Sequence, residues 1–439
     1  MSSAPLSPSD VLTPNPTATE SAANRPDPVR DLYRRYPYPS VEATEAAGTN
    51  FAVLGALDYV RHVFWPGRRS LAGLRVLDAG CGTGITAVQI ARDYPQVDVT
   101  AIDVSDTSLA IARRLAAREG VRDNLTFRVA RIEDLADERG YDYIVSSGVL
   151  HHLADPVVGA RRLGALLSPT GGMAVMLYAT HGRAAIYMMQ DLLRRLGGGA
   201  PLPEQVEMAR AVLGALPACH PFASSGVPDH KWDGDAGLVD LLLHPRDRSY
   251  TVADVFALVG ASGLRFDRFL GESRYRPETY LTDEASRRRL AALPDAERYT
   301  VAELLHGAMS KHTFFATRAG HVPLRIPARG LALLAQRGLR SPLMAWPRDL
   351  AGSSDARGPD RGAVVVQDLP LDPLVRSFEL DGWSLDVVAA FDGERTGSQV
   401  FDLPHVQAAL PGDTRDAKRN ALVGFLEELA AQEILLFEP

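Results

Sequence analysis

The stretch Val76-Leu77-Asp78-Ala79-Gly80-Cys81-Gly82-Thr83-Gly84 constrains this chain more than any other. The apolar run Leu74–Leu77 reads as a buried strand, and three glycines at alternate positions demand a tight turn. From Ile85 to Tyr94 the apolar period becomes helical, through Ile85, Val88, Ile90 and Ala91. A strand, a glycine turn and a helix in succession aim backbone N–H groups and a helix N-terminus at whatever lies over the turn. A nucleotide phosphate is one candidate. Asp78, just before the glycines, would repel a pyrophosphate but suits a ligand carrying an ammonium group.

The 439 residues allow two or three units, each with its own core. A hydrophobic content of 46% with 23% charged residues is that of a globular chain, and a net charge of −7 argues against general nucleic-acid binding. Cys81 and Cys219 alone give no disulfide framework, so a reducing cytoplasm is expected. No run of ~18 apolar residues and no basic-then-apolar N-terminal pattern is present, so neither membrane insertion nor export is expected.

Residues 1–28, rich in Ser, Pro, Thr and Ala, are expected to be a disordered tail. Residues 29–70 follow as a cap. Tyr33, Tyr36, Pro37, Tyr38 and Pro39 predict a stiff extended segment rather than a helix, and a helix is expected from Phe51 to Phe64. The strand Val97–Asp103 ends in an acid about 20 residues past the turn, the spacing at which a carboxylate meets ribose hydroxyls. Ser105 is available to cap the next helix, which frees Asp103 for that role. After the strand Leu125–Ala130 comes Arg131-Ile132-Glu133. Then Tyr141–Ser147 reads as a strand whose C-terminal end carries Gly148, His151 and His152. Ligands of open parallel sheets lie outside such strand ends.

Together these features resemble the class I S-adenosylmethionine-dependent methyltransferases, of the type 11/12 kind. The first motif of that family reads much like Leu77-Asp78-x-Gly80-x-Gly82-x-Gly84, and a later one like Leu150-His151-His152-Leu153-x-Asp155-Pro156. The resemblance covers residues 74 to about 180. It implies an α/β fold: a Rossmann-like, seven-stranded, mostly parallel sheet with helices on both faces, spanning residues 71–320. It also implies S-adenosylmethionine as cofactor and S-adenosylhomocysteine as product. The residues it brings to the cofactor are Asp78, Gly80, Cys81, Gly82 and Gly84 in the turn, Asp103 and Val104 at the ribose, and Ile132 with Glu133 at the adenine edge. Ser147 and Gly148 come from the next strand end, and Tyr33 and Tyr38 from a cap of the kind that folds over the cofactor in many relatives. Arg131 stands where the family commonly has an acid.

Beyond the strand Gly172–Ala179 the chain departs from the plain fold. Insertions at about 181–248 and 271–308 lie at the sheet top, where an acceptor must approach, and are expected to build its pocket. The first opens with a helix containing Met188 and Met189 and continues as a proline-rich loop region. Methyl transfer needs a positioned lone pair and a proton acceptor, for which His151, His152 and Tyr178 are the candidates. His220, His230, Asp233, Asp235, Asp240 and His244 match no familiar metal template, so no metal is expected.

Residues 321–362 read as an Arg- and Pro-rich linker with one short helix, Ala328–Gln336. Residues 363–439 read as a small helical or winged-helix-like domain. Its five basic and fourteen acidic residues point away from DNA and toward protein contact. Three functions stay open: methylation of an N or O nucleophile on a peptide or protein side chain, methylation of a small metabolite or natural product, and cofactor binding without catalysis. The acidic extra domain, the basic linker and the insertions favour the first. The intact glycine turn and Asp103 oppose the third.

Overall fold

The computed structural model describes residues 27–39, 52–121, 123–136, 140–224, 233–323, 337–340, 344–345, 362–367, 377–392, 394–431 and 435–438. Seven strands form the main sheet: β1 (Arg75–Ala79), β2 (Asp98–Asp103), β3 (Leu125–Val129), β4 (Tyr141–Ser147), β5 (Leu167–Tyr178), β6 (Leu264–Phe269) and β7 (Lys311–Arg318). Their order is β3-β2-β1-β4-β5-β7-β6, with β7 antiparallel to both neighbours and the other pairs parallel. Strand order reverses between β1 and β4, and both Gly80 and Gly148 lie at that crevice. This is the α/β sheet expected from the sequence.

Alternate residues of each strand enter different cores. Leu77, Ile102 and Ile144 face the cluster built with α6 (Pro156–Leu166) and α11 (Val252–Ala261). Val76, Val99 and Val145 face α3 (Leu57–Phe64) and α4 (Ile85–Asp93). The expected helix over 51–64 is two helices, since α2 (Ala52–Gly55) breaks before α3 at Ala56. α5 (Asp106–Arg118) starts at Ser105, whose Oγ accepts from the Ser108 N–H.

The segment read as extended is largely a helix, α1 (Pro28–Arg35). Asp27 caps it, Pro28 occupies its first position, Asp31 lies in its first turn and Arg34 and Arg35 in its last. The prolines at 37 and 39 end the helix; they do not prevent it. The expected tail therefore stops short of Asp27, and residues 1–26 lie outside the described residues. Asp27 also receives Arg131 Nη1 and Arg246 Nη2, each at 2.6 Å, which fastens α1 to the β3 end and to the first insertion.

That insertion is helical. After a turn at His181–Arg183 come α7 (Ala184–Gly197), α8 (Leu202–Ala215), α9 (Pro221–Ser224) and α10 (Gly234–Leu242). The expected proline-rich loop fails because Pro201 and Pro203 sit at the start of α8, where a missing N–H costs nothing. Met189 is buried against α10 and α1, while Met188 is 50% exposed. The second insertion carries α12 (Glu284–Ala291) and α13 (Asp295–His306). Its Tyr275 ring stacks on Phe269 at 3.8 Å and Glu303 accepts from the Val252 N–H, so it buttresses β6 and α11.

In the C-terminal region β8 (Arg337–Arg340) pairs with β12 (Leu435–Glu438). β10 (Gly362–Gln367) pairs with β9 (Met344–Ala345) and β11 (Ser377–Asp381). Part of the stretch read as linker thus belongs to strands. The helix expected at 328–336 lies outside the described residues. α14 (Gly382–Ala390), α15 (Gly397–Phe401), α16 (Pro404–Ala409) and α17 (Arg415–Ala431) share an apolar cluster around Phe391, Val400, Val406, Leu422 and Leu426. No described helix is long and apolar enough to cross a membrane.

Asp27→Ala removes a helix cap, worth about 1 kcal/mol, and leaves two guanidinium groups without their shared carboxylate. Limited proteolysis of this variant is expected to cut within residues 28–39 much faster than in the wild type. The main melting transition should fall by only a few degrees.

Candidate active site

The glycine turn is held by its own surroundings. Gly80 and Cys81 N–H both donate to the Ile102 carbonyl at 2.9 Å, Gly84 N–H to the Cys81 carbonyl at 2.8 Å, and Gly82 N–H to Asp103 Oδ2 at 2.9 Å. With these amides satisfied internally, the turn offers a phosphate little, and the open choice between anion and cation resolves against the anion. All three glycines have positive φ, and a Cβ at Gly82 would lie 2.8 Å from the Tyr38 carbonyl. Thr83 Oγ1 donates to the Pro39 carbonyl at 2.6 Å. The cap is thus seated on the turn.

Asp78 fits a cationic ligand. It is 4% exposed, and its Oδ2 has no hydrogen-bond partner. Burial and then the neighbouring Asp103 push its carboxyl up to about 7. A cationic ammonium placed here would meet an acceptor now lacking one. Asp103 takes the Gly82 and Ser105 N–H groups, one on each oxygen, at 2.9 and 2.8 Å. A carboxylate has roughly four acceptor sites, so capacity for ribose hydroxyls is left. Burial raises its carboxyl as well.

Val104 follows Asp103 and is half-buried, as are Ser147 and Gly148 at the end of β4. Ile132 is buried, and Glu133 pairs with Arg131 at 3.2 Å. Cys81 is buried in the turn, its thiol pushed up by burial. Tyr33 spans the site. Its carbonyl accepts from Ser105 Oγ at 3.2 Å, and its hydroxyl donates to Asp240 Oδ1 at 2.7 Å. The Tyr178 hydroxyl reaches the other oxygen of Asp240 at 3.4 Å. Burial, then Asp240, raises both phenols well above their usual range, so Tyr178 is a hydrogen-bond donor at neutral pH and no base in this state.

His151 and His152 lie in a short 3-10 turn beyond β4 and are buried. His151 packs against Tyr178 and His152, each at 4.1 Å between ring centroids. His152 stacks on His244 at 3.7 Å. Burial holds all three imidazoles below their usual range, His152 down to about 4. They are neutral at physiological pH and able to accept a proton. Arg183 lies 3.5 Å over the Tyr178 ring and 3.6 Å from Asp247 Oδ2, which also accepts from Gln190 at 2.8 Å.

This cluster borders a cavity of about 860 Å³ lined by α1, α7, the His151 turn and residues 242–248. Its wall comes from the first insertion and the cap. The second insertion, expected to share in it, lines none of it. Arg183, Gln190, Asp247 and Asp27 were not singled out from sequence, because nothing in their spacing brings them together. The unusual His244-Pro245-Arg246-Asp247-Arg248 run was the available signal.

A glycine turn at a strand-order reversal, an acid at the end of β2 and a buried histidine cluster above the sheet are the arrangement of an α/β protein that takes a nucleoside cofactor. A family model described as a methyltransferase domain matches residues 70–210. An uncharacterized protein of Synechococcus sp. is 31% identical over 302 residues, 66% of this chain and 71% of its own. Ubiquinone biosynthesis O-methyltransferases match over the shorter stretch expected of a shared half. The enzyme of Xanthomonas euvesicatoria is 38% identical over 120 residues, 27% of this chain and 48% of its own. That of Methylocella silvestris is 40% identical over 106 residues, 24% and 40%. The chain therefore spans half or less of these two enzymes. In fold, PKMT2 from Rickettsia typhi superposes with a TM-score of 0.65 at 15% identity, covering 92% of this chain and 78% of its own. Its complex with AdoHcy gives 0.63 at 14%, covering 89% and 76%. The chain belongs to the class I S-adenosylmethionine-dependent methyltransferases and uses S-adenosylmethionine.

The raised Asp78 carboxyl gives a pH dependence of definite sign. Between about 3.8 and about 7 the cofactor-free native state holds a proton that the unfolded state has released, so its stability falls as pH rises through that window. The cofactor's ammonium favours the ionised form, so affinity should tighten with rising pH up to about 7, with proton release on binding. Calorimetry in buffers of different ionisation heat measures both effects, and Asp78→Asn should abolish them. Asp103→Ala should weaken binding by roughly 10- to 100-fold, since it removes charge-assisted bonds to hydroxyls; equal affinity would sink the ribose assignment.

Proposed function

We propose that this methyltransferase acts on an N or O nucleophile of a peptide or protein side chain that enters the cavity walled by the first insertion and the cap. The charged lining of that cavity carries the reading. Asp31 and Asp247 face it together with Arg35, Arg194, Arg246 and Arg248, and six leucines share the lining. Such a wall suits a polar chain bearing backbone amides and charges better than an extended apolar acceptor. The fold correspondence with PKMT2 runs through 92% of the chain, beyond the cofactor half, and agrees with this reading as a matter of fold.

Bound S-adenosylmethionine supplies a methyl group already activated on a sulfonium. The chain's part is to orient the acceptor, exclude water and take a proton. Asp240, buried between the Tyr33 and Tyr178 hydroxyls, fixes the positions of both rings beside the His151 cluster. His151 and His152, neutral by burial, are the groups able to accept the proton as the acceptor's lone pair attacks.

A small-molecule acceptor is the second reading. It is favoured by the ubiquinone biosynthesis relatives, whose similarity is confined to a stretch of 120 residues or fewer. The Met188–Met189 helix lends it nothing, since one methionine is exposed and the other is in a helix-packing core.

Incubation of the enzyme with size-fractionated lysate and methyl-labelled cofactor separates the two. Label is expected in protein-sized material, at a side chain recoverable by peptide mapping. Label confined to low-mass material would refute the peptide or protein acceptor.

A further inference from the structure

The His151 cluster contains more buried, unpartnered polar atoms than proton transfer requires. Both ring nitrogens of His151, Nε2 of His152 and Oδ1 of Asp247 have no hydrogen-bond partner. His151 is 1% exposed and the Asp247 side chain likewise. A buried polar atom left without a partner destabilises the fold, and four of them around one point favour a ligand there.

These atoms are also prepared as donors. His152 Nδ1–H donates to the Arg246 carbonyl at 2.6 Å. In the neutral ring that bond leaves the lone pair on Nε2, and a backbone acceptor on the far nitrogen is what a metal-binding imidazole commonly has. Asp247 is similarly divided. Its Oδ2 faces Gln190 and Arg183, while Oδ1 is left for another partner. One donor atom from each of His151, His152 and Asp247 lies within 4.8 Å of the other two.

We propose that His151, His152 and Asp247 bind a divalent transition-metal cation of the zinc type on the wall of the acceptor cavity. Two imidazoles and a carboxylate are the donor set of many such sites with a position left open. Metal–ligand bonds of about 2.1 Å put tetrahedral donors roughly 3.4 Å apart, so rotations that draw the atoms in by roughly 1 Å complete the site. His151 and Asp247 both line the cavity, which gives the open position access to an acceptor or to water; with the metal in place the imidazole lone pairs are occupied, and water at that open position is the proton acceptor in their stead.

The charged neighbours are compatible. Arg183 meets Asp247 through Oδ2 and lies over the Tyr178 ring, and Arg246 is neutralised by Asp27. His244 is excluded as a fourth donor in this arrangement. Its Nδ1 accepts the Arg246 N–H, so in the neutral ring Nε2 carries the proton. Binding by these three groups does not depend on the nature of the methyl acceptor.

The test is a Co²⁺ titration of the chelator-treated full-length protein, followed by visible absorption. The expected result is one equivalent bound, with d–d bands of a low-coordinate N/O site that Zn²⁺ displaces. Asp247→Asn and His152→Gln should each weaken Co²⁺ binding by more than 10-fold. Both should keep wild-type affinity for S-adenosylmethionine within about threefold, which shows that they are folded. No absorption change in the wild type would overturn the site, as would unaltered Co²⁺ binding in both variants. Either outcome would leave the peptide-acceptor reading standing, since that reading is decided by where label is found.

Discussion

The hydrogen bond from Gly82 N–H to Asp103 is the link on which the cofactor half depends. It joins the turn after β1 to the end of β2 and places a carboxylate at the strand-order reversal. It also occupies an amide that would otherwise favour an anion. With Gly80 and Cys81 both donating to Ile102, the turn becomes a rigid ledge with an acid on either side, Asp78 buried below and Asp103 at the rim. Two raised carboxyls facing one ligand site are costly in isolation, because burial disfavours ionisation of both and Asp103 adds to this at Asp78. A cofactor carrying both an ammonium group and ribose hydroxyls relieves that cost. The same geometry explains why Gly82 has no side chain, since the Tyr38 carbonyl occupies the space.

The cap does more than cover this ledge. Asp27 holds one guanidinium from the end of β3 and one from the first insertion, so the two regions meet at a single carboxylate. Tyr33 repeats the pattern, with its carbonyl on Ser105 and its hydroxyl on Asp240. A segment making both kinds of contact must be in place before either region is complete.

The sheet, the glycine turn, Asp103 and the paired histidines were legible in the sequence because each is written in consecutive residues or at a fixed spacing. Period-two runs mark strands, and alternate glycines mark a turn that only positive φ can make. The cap was misread because Pro37 and Pro39 were weighed against a helix throughout the segment, whereas they follow a helix that has already ended at Arg35. The acceptor wall was illegible for a different reason. Asp27, Arg183, Asp240 and Asp247 come from four separate stretches, and only the folded insertion brings them to His151. β10 and β11 escaped notice because pairing of short strands depends on partners distant in sequence.

A buried cluster of this kind bears on function through what it costs. His151, His152 and His244 must be neutral, Arg183 must keep its charge against burial, and several of their polar atoms have no partner. Leucine or phenylalanine at the same positions would pack the space with no such penalty. The second insertion provides the contrast, since its buried Glu303 is matched to His312 and the Val252 N–H and its His312 to Tyr275. The polar groups around His151 are satisfied only in part, and they border a cavity. That combination is the physical basis for proposing that a ligand completes them.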